Sequence, residues 1–111
     1  MLGGCLGYYN SYSWACISRA TPTVYGTNVT GNQRQDWLNS QYIIMWGWNP
    51  SEMRDGTNSE YFLKEARRKG ARVVCIDPRM TLSAVAHADE WIPIRPGTDV
   101  AMMSAMAYVM I

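Results

Sequence analysis

Apolar and polar positions fall in blocks along this chain, and the blocks outline its elements. Tyr42 to Trp46 is an uninterrupted apolar run of β-branched and aromatic residues, the pattern of a strand buried on both faces. Gly47 closes it, and Pro50, which lacks an amide donor, forbids simple continuation. Arg72 to Ile76 is a second run, with Val73, Val74 and Ile76 marking a central strand. Glu90 to Ile94 is a third and shorter one, and Pro93 inside it means imperfect pairing or a place nearer an edge. Between the first two runs, Thr57-Asn58-Ser59-Glu60 has the form of a capping box and predicts a helix start. Phe62, Leu63 and Ala66 then face the sheet, while Glu60/Lys64 and Glu65/Lys69 pair at i,i+4 on the wet side. Arg67, Arg68 and Lys69 suit the carboxyl end of the helix dipole, and Gly70 stops the helix. Thr81 to Ala88 predicts a short helix holding His87, the only histidine, which between alanines reads as packed or surface rather than as a ligand. Val100 to Ile111 is apolar almost all round, and such a helix is normally enclosed by protein.

Upstream of these blocks the pattern is less regular. Gly3 to Arg19 opens with glycines, becomes aromatic across Tyr8-Tyr9-Asn10-Ser11-Tyr12-Ser13-Trp14, and predicts a short helix from Trp14 to Ala20. Thr21 to Asn32 is turn chemistry, with Pro22, Gly26, Asn28 and Gly31 among threonines. Asn28-Val29-Thr30 has the form of a glycosylation acceptor, which carries little weight without a secretory signal. Gln33 to Ser40 predicts one helical turn before the first strand. The order is therefore β-α-β-α-β-α. The expected fold is α/β: a three-layer, Rossmann-like parallel sheet of three main strands flanked by helices, part of a larger domain. Residues 1–40 form a lead-in and 41–111 the βαβαβα unit.

Composition narrows the function. A chain of 111 residues is at most one domain and buries roughly 60 to 70 per cent of its unfolded surface. A net charge of +1 gives no global field for nucleic acid or an anionic membrane surface. Eight Met, five Trp and seven Tyr beside one Phe suit a wall around a large ligand, or equally an adaptable core. Cys5, Cys16 and Cys75 lack CxxC spacing and read as buried thiols. No signal peptide or run of membrane-spanning length stands out. Both ends look clipped, so a piece of a larger protein is expected, and the exposed apolar helix predicts that the isolated piece self-associates.

Each strand ends in a polar cluster: Gly47/Trp48/Asn49, Asp77/Pro78/Arg79 and Gly97/Thr98/Asp99. Right-handed crossovers bring all of them to one side of a parallel sheet, where open α/β sheets hold ligands. The expected ligand is extended and nucleotide-like, with phosphates near glycine backbone and carboxylates accepting from ribose or base. The bland alternative, that each cluster merely caps a turn, makes their meeting at one edge a coincidence. The NAD fingerprint and the Walker A motif are both missing, so NAD and ATP are poor candidates.

Trp46-Gly-Trp-Asn-Pro50, Ile76-Asp-Pro-Arg79 and Arg95-Pro-Gly-Thr-Asp99 together resemble the dimethyl sulfoxide reductase family of molybdopterin oxidoreductases. Gly3-Gly4, Tyr8-Tyr9, Tyr12-Ser13 and Asp89 to Asp99 point within it to catalytic subunits of the anaerobic, membrane-associated enzymes. The resemblance implies a segment that cradles molybdenum bis(molybdopterin guanine dinucleotide). It puts Gly47 and Asn49 at the phosphates with Glu52 nearby, counts Trp46 among the cofactor-binding residues, and puts Asp77, Arg79, Gly97, Thr98 and Asp99 at the ribose and guanine end. An aspartate suits guanine because its two oxygens accept the N1 and N2 protons together; Asp99 or Asp77 takes that task. The resemblance also makes Ser13 a molybdenum ligand, a hard alkoxide on a high-valent metal. Tyr9 and Tyr12 would donate hydrogen bonds to the substrate oxide, and Trp14 departs from the threonine usual in relatives. The implied reaction is two-electron reduction of an S-oxide or N-oxide in anaerobic respiration. The implied partners are an iron–sulfur electron-transfer subunit and a membrane-anchor subunit, and the implied place is the membrane, at its periplasmic face. A four-iron cluster would lie upstream, outside this piece, which alone should be inactive. The competing readings are a segment of a nitrate reductase or formate dehydrogenase, which carry aspartate, cysteine or selenocysteine where Ser13 stands, and a free-standing nucleotide-binding module.

Overall fold

The apolar runs pair as a parallel sheet in the order β1 (Tyr42–Trp46), β2 (Arg72–Ile76), β3 (Glu90–Ile92). A computed structural model describes residues 3, 4, 6, 7, 11–53 and 58–111, without the Ser13 side chain. The chain forms two compact units, Met1–Asn32 and Gln33–Ile111, and the sheet belongs to the second. β1 and β2 run in register from Tyr42 opposite Arg72 to Trp46 opposite Ile76, and β3 pairs Glu90 with Val74. β3 ends at Ile92, directly before Pro93 and two residues short of the expected limit.

Residues alternate between the two faces of the sheet with period two. On one face Met45, Val73 and Cys75 pack with Leu63 of α2 (Ser59–Arg68) and Ala84 of α3 (Leu82–His87). Trp37, from a 3-10 helix at Arg34–Asn39, and Trp48 close this cluster and meet edge to face at 5.6 Å. Val74 and Ile76 point to the other face, where they pack with Ile94, Trp46, Ile92 and Met102 of α4 (Asp99–Met110). β2 is therefore the central strand, with Val73 to Ile76 all buried. The expectation that β1 is buried on both faces is wrong. β1 is a sheet edge; only Met45 is fully buried, and Tyr42 and Ile44 remain 52% and 43% exposed. No residue of α4 is buried, and Tyr108, Val109 and Met110 at its far end are exposed.

Helix boundaries show where local signals were overruled. α2 begins after Asn58, which makes no side-chain cap, and Thr57 of the expected capping box lies outside the described residues. Glu60 is not paired with Lys64; among the described residues it accepts from Ser51 and His87. Glu65 pairs with Arg68 at 2.6 Å, one residue earlier than expected. Gly70, at φ 99°, stops α2 as expected. Thr81 caps α3 by accepting from the Ala84 amide at 3.1 Å.

In the first unit, α1 spans Tyr12–Tyr25, so the turn expected from Thr21 onward begins five residues late. Pro22 lies inside this helix, and the stop is supplied instead by Gly26 at φ 75°, whose amide donates to the Pro22 carbonyl at 2.9 Å. Cys16 is exposed on α1, against the expectation of a buried thiol, whereas Cys75 is buried; Cys5 lies outside the described residues. Among the described residues no helix is long and apolar enough to cross a membrane.

Candidate functional site

Parallel pairing sends the carboxyl ends of β1, β2 and β3 in one direction, and the loops that follow are tied to each other. Gly47 extends the β1 pairing by one bond, its amide donating to the Ile76 carbonyl at 2.9 Å. Its φ of 55° turns the chain away at once, a conformation that favours glycine. The Trp46 indole N–H donates to Asp99 Oδ1 at 2.8 Å, joining the end of β1 to the first turn of α4. Arg79, after β2, meets Glu52, after β1, at 3.3 Å. That pair is exposed and contributes little to stability, but it places the two loops side by side.

Within each loop, polar groups fix the local backbone. The buried Asp77 carboxylate accepts the Arg79 amide at 3.0 Å, a turn of the Asx type, and its carbonyl accepts the Trp91 indole N–H at 3.0 Å. Its amide donates to the Ile92 carbonyl at 3.2 Å and so fastens the loop to β3. Gly97 has φ 82°, and Thr98 donates through Oγ1 to the Arg95 carbonyl at 2.6 Å, which shapes the approach to α4. In the first loop the Asn49 carbonyl accepts from both Glu52 and Met53 amides at 3.1 Å. Its side-chain Oδ1 accepts from Ser83 Oγ at 2.6 Å and from the Ser83 amide at 3.3 Å. Asn49 Nδ2 is buried and has no hydrogen-bond partner among the described residues.

Trp46, Asp99, Glu52, Arg79, Asp77 and Asn49 thus line one rim, with Gly47, Gly97 and Thr98 in the backbone turns between them. Trp48 does not join them; it packs into the core against Trp37. Tyr12, fully exposed, and Ser13 lie in α1 of the first unit, while Tyr9 and the Ser13 side chain fall outside the described residues.

Behind the rim runs a chain of polar groups that sequence reasoning missed. Ser51 donates its amide to Ser83 Oγ at 2.9 Å and its hydroxyl to Glu60, whose carboxylate also meets His87 Nε2 at 3.3 Å. The Ser51 hydroxyl, followed by His87, holds the Glu60 carboxyl below its ordinary value. His87 is packed, as expected, with this carboxylate as its partner. The one available signal was Ser83, a hydroxyl in a short helix of small apolar residues, where a buried O–H requires an acceptor.

The molybdopterin oxidoreductase family matches residues 1–111. The YnfE chain of Escherichia coli strain K12, named for dimethyl sulfoxide reductase, is 48% identical over 98% of this chain. Dimethyl sulfoxide reductase DmsA of the same organism is 45% identical over 98% of it. The nitrate reductase alpha chain of Bacillus subtilis is 40% identical over 100% of it. This chain spans only 14% of the first two proteins and 9% of the third. With three-strand parallel topology, linked strand-end loops and a family match along its whole length, the chain belongs to the molybdopterin oxidoreductase family.

Proposed function

We propose that this chain is the segment of a molybdenum oxidoreductase that holds the guanine dinucleotide part of a molybdopterin cofactor. The observation that supports this most is the cross-linking of the strand-end loops, Trp46 to Asp99 and Glu52 to Arg79, which makes one continuous rim. The residues present fit such a group. Asn49 Nδ2 is a buried amide donor without an acceptor among the described residues, an arrangement that costs on the order of 1–3 kcal/mol unless a ligand oxygen completes it. Gly47 and Gly97 keep backbone close to solvent at the rim with no side chain in the way. Asp99 and Asp77 each offer a carboxylate with one oxygen already committed, to the Trp46 indole and to the Arg79 amide. The task of reading guanine through its paired N–H groups falls to one of these two, and Arg79, in the Asp77 turn, belongs to the same ribose and guanine end.

When bound, the molybdenum–pterin group supplies two-electron redox chemistry for oxygen-atom transfer from an S-oxide or N-oxide. Ser13 would be the protein's oxygen ligand to molybdenum, and Tyr12 and Tyr9 would orient the oxide. The nitrate reductase relative gives a second substrate class, an oxoanion, but the dimethyl sulfoxide reductase names accompany the higher identities. In the complete enzyme we assign a four-iron cluster upstream, an iron–sulfur electron-transfer subunit, a membrane anchor and a periplasmic place; the isolated segment would be inactive. The test is the guanine nucleotide and molybdenum released per chain from cofactor-loaded protein. Asp99→Ala or Asp77→Ala, whichever removes the guanine contact, should lower both by about tenfold. Full content in both variants would contradict the assignment.

A further inference from the structure

Ser83 is fully buried at the second position of α3, away from the rim. We infer that Ser83 is a positioning residue that sets which way the Asn49 side-chain amide faces. The inference rests on the proposed placement of Asn49 against the cofactor but is decided separately from it. Two donors of Ser83 meet the same atom of Asn49: the hydroxyl at 2.6 Å and the backbone amide at 3.3 Å. A backbone N–H can only donate, so the Asn49 atom facing it must be the oxygen rather than the nitrogen. An Asn49 turned over would bring Nδ2 against that N–H, donor against donor. The hydroxyl alone would not decide the matter, since it can accept as readily as it donates. It is itself oriented, because its oxygen already accepts the Ser51 amide at 2.9 Å. The Ser51 hydroxyl lies 2.9 Å away as a competing acceptor for the single Ser83 proton. The shorter contact to Asn49, and Asn49's second donor from the same residue, favour Oδ1.

The consequence is directional. With Oδ1 held against Ser83, both Nδ2 protons face away from it, in a buried position where no described residue accepts them. The side chain therefore presents a fixed pair of donors and no acceptor, which suits an anionic oxygen such as a phosphate or pyrophosphate and disfavours a donor group. Preorganisation of this kind saves the ligand the ordering of a rotatable amide.

Two readouts test this, with thermal unfolding of each variant separating loss of fold from loss of orientation. The first needs no cofactor: proton–nitrogen spectra of the Asn49 side-chain amide. One set of signals is expected in the parent protein. Ser83→Ala and the similarly sized Ser83→Cys keep the 3.3 Å backbone donor but lose the 2.6 Å hydroxyl bond that holds Oδ1 against it. Each should therefore add a minor second set from the turned-over amide, and Ser83→Thr, which keeps the hydroxyl, should restore one. Identical Asn49 signals in Ser83→Ala and the parent would overturn the inference. The second readout is retention of guanine nucleotide by the cofactor-loaded protein. Asn49→Ala and Ser83→Ala should each speed its loss by about tenfold, and the double variant should be no worse than Asn49→Ala. Loss in Asn49→Ala with none in Ser83→Ala would also overturn the inference while leaving the proposed function standing. No loss in Asn49→Ala would remove Asn49 from the cofactor site, and the amide spectra would still decide what Ser83 does.

Discussion

At the amino end of the sheet each arginine of the opening is paired with a carboxylate, while at the carboxyl end polar groups are tied across loops with a buried donor left over. The amino end has an opening of about 790 Å³ lined by Lys64, Arg67, Arg68, Arg72, His87 and Asp89. Each of its arginines already has a partner: Arg67 with Asp89 at 2.6 Å, Arg68 with Glu65 at 2.6 Å, Arg72 with Glu90 at 2.7 Å. An anion approaching those arginines would have to displace a carboxylate. Asp89 is committed further, since its second oxygen accepts the Val73 amide at 2.7 Å and closes the start of β2. At the carboxyl rim the links are sparser, and Asn49 Nδ2 stays unpartnered among the described residues. The unfinished hydrogen bonding lies at the rim, the end that open α/β sheets use for ligands, and supports the site proposed there.

Leu63→Ala should have the largest effect, because this fully buried side chain supports the sheet beneath both ends. A loss of about 2–5 kcal/mol is expected, read by urea denaturation, and both ends should loosen together. Asp89→Ala should separate them. It strands the Val73 amide and the Arg67 guanidinium, so stability should fall by about 1–3 kcal/mol while cofactor content stays unchanged. A drop in cofactor content at constant stability would erase the distinction between the two ends.

Acid should act chiefly at the amino end and behind the rim. The Val73 amide and then Arg67 hold the Asp89 carboxyl below its ordinary value, and Glu60 is lowered by Ser51 and His87. A carboxyl depressed in the folded state adds stability above its unfolded value, and that stability is lost as pH falls through the folded one. Denaturation midpoints should therefore decline between roughly pH 5 and pH 2, and Asp89→Asn should flatten part of that decline. A slope that Asp89→Asn leaves untouched would show that this carboxylate is not a source. The smallest effect should come from Arg72→Ala, whose pair with Glu90 is exposed on both sides: about 0.2–1 kcal/mol, with no change in cofactor content.

The strands were legible because their cues are local. Tyr42–Trp46 and Arg72–Ile76 begin and end where the apolar runs do, and the polar clusters at their ends share a side because the sheet is parallel. The burial of β1 was not legible, since an apolar run does not reveal whether its strand is an edge. Pro22 resembled a helix stop, yet α1 continued to Gly26. Glu60 had the spacing of a cap, but its partners are Ser51 and His87, the latter 27 residues away. Ser83 reaches Asn49 across 34 residues. Such long-range polar pairs leave no periodicity, and they hold the shape of the rim.

The most direct measurement is amide hydrogen exchange of the protein with and without its bound molybdopterin cofactor. The account expects slowed exchange at residues 46–52, 77–79 and 97–99 together on loading, with residues 64–72 and 86–90 unchanged. Protection confined to the amino-end groove, or to only one of the strand-end loops, would contradict it.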